Sequence, residues 1–115
     1  MFRGPFPNVV VGPDGLALTS EDCAVSVGSE GPADTSLWLP SADTRGQIVF
    51  LVRSAIGRGC VNVLALDDDH LEHWDVFAGF KLDMGGQHAL LVANGAGVWH
   101  VVNSSNPVWL VRKET

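Results

Sequence analysis

The sequence predicts an all-β fold: a small antiparallel β-sandwich or barrel-like domain, with an extended N-terminal arm and at most one short helical turn. Three observations lead there. Thirteen glycines and six prolines are spread along 115 residues, which leaves little room for long helices. Between them lie short runs rich in Val, Ile, Leu, Phe and Trp, separated by turn-forming residues. A chain of this size builds one core, and seven or more such runs in one core make a sandwich or a barrel.

The elements follow in order. Residues 1–14 contain Pro5, Pro7 and Pro13 and read as an extended arm outside the core; residues 15–115 form the single domain. The strand-like runs are Val9–Val11, Leu16–Thr19, Ala24–Val27, Ser36–Leu39, Gln47–Arg53, Cys60–Leu66, His88–Ala93, Val98–Asn103 and Val108–Arg112. Asn94-Gly95 between the runs at 88–93 and 98–103 signals a hairpin, because a two-residue turn needs positive φ at both central positions. A two-residue turn there sets Leu90 opposite Trp99 and Leu91 opposite Val98. One face would then carry Leu90, Val92, Trp99 and Val101, and the other Leu91, Val98 and His100. The stretch from Asp67 to Phe77 resists a strand reading. Leu71, Trp74 and Phe77 recur every three residues behind a crowd of acids, which fits either a helical turn or an ordered acidic loop.

Composition limits the function. Apolar residues make up 46% and charged residues 17%, the opposite of a disordered chain. Seven Lys and Arg against thirteen Asp and Glu give a formal charge of −6, so direct nucleic-acid binding, which needs clustered cations, is not expected. The longest apolar runs fall far short of the roughly 20 residues of a membrane span, and the start Met1-Phe-Arg-Gly-Pro does not read as a secretory signal.

Catalytic chemistry finds no foothold. Two cysteines, Cys23 and Cys60, are too few for a structural zinc site and read as free thiols, a disulfide being the alternative. His70-Leu-Glu-His73 is neither zincin spacing, and the consecutive acids Asp67, Asp68 and Asp69 lack the alternation of a calcium loop. The predicted register puts His88 and His100 on opposite faces, and no His-x-His pair occurs. There is no Gly-x-Ser-x-Gly, and the glycine pairs at 57–59 and 85–86 lack phosphate-loop spacing. No enzymatic activity, no metal and no cofactor are expected.

The burial pattern is more informative. Ile48-Val-Phe-Leu-Val52, Leu90-Leu-Val92, Val98-Trp99 and Val108-Trp-Leu-Val111 are apolar at consecutive positions, so both faces of those strands ask for cover. So short a chain with almost no helix cannot cover both, and a second subunit is the economical solution; a closed barrel with some exposed apolar residues is the alternative. The residues expected at the subunit interface are Trp38, Leu39, Phe50, Trp99, Val101 and Trp109.

The segments Ser36-Leu-Trp-Leu-Pro40, Thr44–Arg53, Val61-Asn-Val63, Leu82-Asp-Met-Gly-Gly86 and Leu90–Val102, led in by Leu16–Asp22, resemble a module widespread in tailed-bacteriophage virion proteins. The resemblance covers about residues 15–103. It implies a β-sandwich-like, often trimeric unit of the kind found in capsid decoration (cement) proteins, head fibres and tail fibres, and it supplies no catalytic residues. It makes the Trp99 hairpin and the Leu39-Pro40 and Gly46 region scaffold; the acidic segment 67–75 departs from the pattern. A small chain without shaft or chaperone segments fits a cement protein better than a fibre or a carbohydrate-binding module. The expected partners are a homotrimer of itself and the major capsid protein, with Phe2, Arg3 and Phe6 of the arm lying across the shell. The expected place is the virion surface, after synthesis in the host cytoplasm.

Overall fold

The computed structural model describes residues 8–19, 23–66, 69–72, 79–105 and 108–109. Regular structure among them consists of eleven strands: β1 (Asn8–Val11), β2 (Leu16–Ala17), β3 (Ala24–Ser29), β4 (Thr35–Trp38), β5 (Ile48–Arg53), β6 (Val61–Leu64), β7 (His70–Leu71), β8 (Gly79–Leu82), β9 (His88–Ala93), β10 (Val98–Ser104) and β11 (Val108–Trp109). They form two sheets, ordered β1-β3-β5-β9-β10-β7 and β11-β8-β6-β4-β2. The all-β, two-sheet expectation holds.

The pairing is mixed, which corrects the antiparallel expectation. From β1 to β9 consecutive strands alternate between the sheets, so the chain winds around the core. β1, β3 and β5 are parallel in one sheet, and β2, β4 and β6 are parallel in the other. Parallel neighbours need a crossover, and here each crossover is itself a strand of the opposite sheet. Ala24 pairs with Phe50 and Thr35 with Val61, so the second winding advances 26 residues in both sheets. Antiparallel pairing enters with β9 and β10 on β5, and with β8 and β11 on β6. β7 is a parallel edge piece on β10. β7 and β8 lie outside the strand runs read from the sequence.

Period-two alternation decides what faces inward. Val25, Val27, Val49, Leu51, Leu91 and Trp99 from the larger sheet meet Leu37, Val61, Val63, Phe80 and Leu82 from the smaller one, all essentially inaccessible. The Trp99 indole N–H donates to the Pro40 carbonyl at 3.1 Å, so the one polar atom of the largest core side chain is satisfied. Val11 is also fully buried in the core, and β1 is an edge strand. The arm reading is therefore corrected for residues 8–11; Phe2, Arg3 and Phe6 lie outside the described residues.

The hairpin forms with a different register. Ala93 sits opposite Trp99, Val92 opposite His100 and Leu91 opposite Val101, with a bulge between Val101 and Asn103. The connection is longer than two residues because the Asn94 side chain takes part in it. Its Oδ1 accepts from the N–H of Ala96 at 2.7 Å and of Val98 at 3.1 Å, while Gly95 and Gly97 both adopt positive φ. Trp99 thus moves from Leu90 to Ala93, an odd shift that exchanges the faces: Leu91 and Trp99 point inward, Leu90 and Val92 outward.

One end of the molecule is organised by a buried cation. Arg53 is 2% exposed, at the inward position that ends β5. Its Nε donates to the Leu82 carbonyl at 3.2 Å. Nη1 reaches the carbonyls of Ser54 and Ile56 at 2.5 and 2.9 Å, and Nη2 those of Gly57 and Gly59 at 3.1 and 2.9 Å. The guanidinium is the residue type for this task, with five donors in a fixed planar fork. It ties the 54–59 loop to β8 and, through Ser29 Oγ at 3.4 Å, to the end of β3.

Candidate self-association face

The outward positions of the larger sheet form the most distinctive surface. Pairing sets Ala24, Phe50 and Leu90 in one row, Ser26, Val52 and His88 in a second, and Ile48, Val92 and His100 in a third. Phe50, Val52, Leu90 and Val92 are only half-buried, and none of them packs into the core cluster; Ile48 is 45% exposed. The Phe50 ring leans on the His88 imidazole, with centroids 6.0 Å apart. No Asp, Glu, Lys or Arg occupies an outward position on β3, β5, β9 or β10. The strands are therefore apolar on both sides: Val49 and Leu51 fill the core while Ile48, Phe50 and Val52 line the outer face. The outer face of the smaller sheet differs, carrying Ser36, Asn62 and Lys81 beside Trp38 and Leu64.

Of the residues expected at an interface, Phe50 stands in the middle of this face. Leu39 and Trp99 are fully buried inside the protomer and have no surface to offer a partner, which corrects their assignment. Val101 is half-buried against the core. Trp38 lies on the other sheet, its indole packed over Gly15 so closely that a Cβ there would come within 2.4 Å. The Trp109 backbone pairs with Phe80, and its side chain lies outside the described residues. Ile48, Val52, Leu90 and Val92 were missed as individual residues, although the consecutive apolar runs that contain them carried the signal.

Among the described residues, Asp69 and Glu72 accept from backbone N–H groups and the histidines lie apart. His88 and His100 share the outward face, correcting the opposite-face prediction. They stand four residues apart in register, roughly 13 Å at the rise of a strand, too far to share a ligand. His70 opens β7, and His73 lies outside the described residues. Asp69 Oδ2 accepts from the Ala42 N–H at 2.8 Å, and the Glu72 carboxylate accepts from the Val101 N–H, filling the edge of β10 beyond β7. Among the described residues no three His, Cys, Asp or Glu side chains form a group able to hold a metal.

Comparison with protein-family models, curated proteins and solved structures finds no match.

Two smaller features remain. Both cysteines are free thiols and half-buried. Burial pushes the Cys60 thiol above its ordinary pKa, and the carboxylates of Asp34 and Asp83 raise it further against a smaller opposing effect of Lys81. A shallow pocket of about 210 Å³ is lined by Pro13, Glu30, Gly31, Pro32, Ala33 and Thr35. The Thr35 hydroxyl is buried without a hydrogen-bond partner.

Proposed function

We propose that this protein is a structural, self-associating virion component: a capsid decoration protein that trimerises and binds the outer surface of the major capsid protein shell. The observation that carries self-association is the uncharged apolar face of β5 and β9, with Ile48, Phe50, Val52, Leu90 and Val92 turned away from the core. Contiguous exposed apolar surface of this kind marks an interaction site, and homo-oligomer interfaces are the apolar class of interface. The trimeric state, the virion setting and the capsid partner rest on the resemblance of residues 15–103 to phage virion modules.

Light scattering coupled to size exclusion tests the first step. The expected result is a species of three 12.2 kDa chains whose mass does not change with a chelator. Ile48→Asp places a charge on the exposed part of the face and is expected to return a folded monomer. Each protomer carries a formal charge of −6, so association driven by apolar contact strengthens with salt. A monomer at every salt concentration overturns the reading. Electron cryomicroscopy of virions tests the second step: a shell without density for this chain removes the capsid role.

A further inference from the structure

The Asn94-Gly95 peptide is placed for chemistry on its own backbone, independently of any partner. Asn94 is exposed, and its Oδ1 accepts from two backbone N–H groups, Ala96 at 2.7 Å and Val98 at 3.1 Å. Two donors converging on one amide oxygen polarise its carbon and stand ready for negative charge on that oxygen, the arrangement that stabilises a tetrahedral oxyanion. The bond to Ala96 closes a ring through Asn94 and Gly95, so the Gly95 nitrogen is part of the same small loop as Cγ of Asn94. That nitrogen donates to no acceptor among the described residues, and Nδ2 of Asn94 makes no hydrogen bond among them. Gly95 has φ of 82°, and a Cβ there would lie 2.8 Å from Cβ of Arg45, so the position accepts only glycine and the nitrogen's own residue adds no side chain beside it.

We propose that the native loop activates Asn94 for cyclisation, making it a self-modification site. The Gly95 amide gives its proton to solvent hydroxide, and its nitrogen attacks Cγ of Asn94. The N–Cγ bond forms while the carbonyl electron pair moves onto Oδ1, between the two N–H donors. Collapse of that intermediate breaks the Cγ–Nδ2 bond, and Nδ2 takes a proton from water and leaves as ammonia. Water then opens the five-membered imide at either carbonyl. One opening leaves an ordinary aspartyl residue in place of Asn94 and keeps the loop geometry. The other yields an isoaspartyl linkage, which routes the main chain through the side-chain methylene and breaks the register of Asn94 with Val98. Either product adds one negative charge to a chain of formal charge −6.

The experiment compares folded protein with the same chain unfolded in urea, held at one mildly alkaline pH and mapped by peptide mass spectrometry and isoelectric focusing. Exchange of the amide nitrogen for oxygen is expected at Asn94 at least as fast in the folded state as in the unfolded one. Asn103, followed by Ser104 but held opposite Leu90 in β10, is expected to stay intact in the folded state. Folded protein that converts Asn94 more slowly than the unfolded chain overturns the proposal. Ala96→Pro deletes the nearer donor and is expected to slow the folded-state reaction about tenfold while leaving the unfolded rate unchanged. An unchanged folded rate in that variant also overturns it. Should Ala96→Pro fail to fold, the folded-against-unfolded comparison on the natural chain decides alone.

Discussion

Arg53→Met keeps the apolar stem of a 2% exposed side chain and deletes every donor at its tip. The Val27 and Ile56 carbonyls keep backbone partners, the N–H groups of Ser54 and Ser29, and Leu82, which accepts from Nε, stays paired with Val61 in the β6–β8 ladder. The carbonyls of Ser54, Gly57 and Gly59 lose the guanidinium. Gly57 is exposed and regains water, whereas Gly59 is buried and Ser54 half-buried. Two orphaned carbonyls at about 1–3 kcal/mol each give a loss of about 2–6 kcal/mol. A chain of this length has a total stability of roughly 6–17 kcal/mol. At a slope of about 1–3 kcal/mol per molar, the urea midpoint is expected to fall by about 2 M. Amide exchange should rise first at Ser29, Arg58 and Gly59, whose N–H groups bind within the same loops. Arg53→Lys is expected to fall between, since one ammonium cannot span acceptors placed for a planar fork. A midpoint loss equivalent to less than about 1 kcal/mol would mean that water replaces the guanidinium and that Arg53 does not hold this end together.

Three further outcomes follow from the same geometry. Gly59→Ala drives a Cβ to within 1.8 Å of the Ala33 carbonyl oxygen, so thermal unfolding should show a loss of about 2 kcal/mol or more. Trp99→Phe removes the donor to Pro40 and leaves a void in the core; about 2–4 kcal/mol is expected in denaturant titration, with loss of the fluorescence of a fully buried indole. Asp34→Asn removes one of the carboxylates that raise Cys60, so the Cys60 pH–alkylation profile should move to lower pH. Because folding raises this pKa, the associated stability is fully present below the thiol's ordinary value and is lost as pH rises through the folded one.

Much of the fold was legible where a local rule decides it. Each of the nine apolar runs contains or overlaps a strand, because short runs cut by Gly, Pro and Asn have few other ways to bury themselves. Asn94-Gly95 announced the hairpin, but the Asn94 carboxamide bound inside the connection and lengthened it, which local spacing does not reveal. Partner choice was invisible for a deeper reason. Alternation tells which side of β3 faces inward, not that β3 lies between β1 and β5. Gly79-Phe-Lys-Leu82 has a strand's pattern but follows the acidic segment, and two-residue β7 is too short to show a period. Arg53 obeys the alternation of β5, yet an arginine at an inward position runs against the usual bias of charge toward water. The apolar outer face of the larger sheet was present as consecutive apolar residues; separating Phe50 from Trp99 required the true register.

The winding of β1 to β6 also has a kinetic side. No pair within it can form by local zipping: β1 meets β3 across 18 residues, and β3 meets β5 across 26. Among the described strands, β9 and β10 alone are consecutive in the chain and paired with each other, and β5 reaches its second neighbour only when β9 is present. Closing such long loops before any contact rewards them makes for slow folding, in the millisecond-to-second range of non-local β proteins. The C-terminal hairpin is therefore the natural nucleus, with the N-terminal windings laid onto it afterwards. During synthesis, the strand edge of β5 stays unpaired until residues 88–93 have left the ribosome, which makes the nascent chain most exposed to wrong strand pairing just before its last quarter emerges.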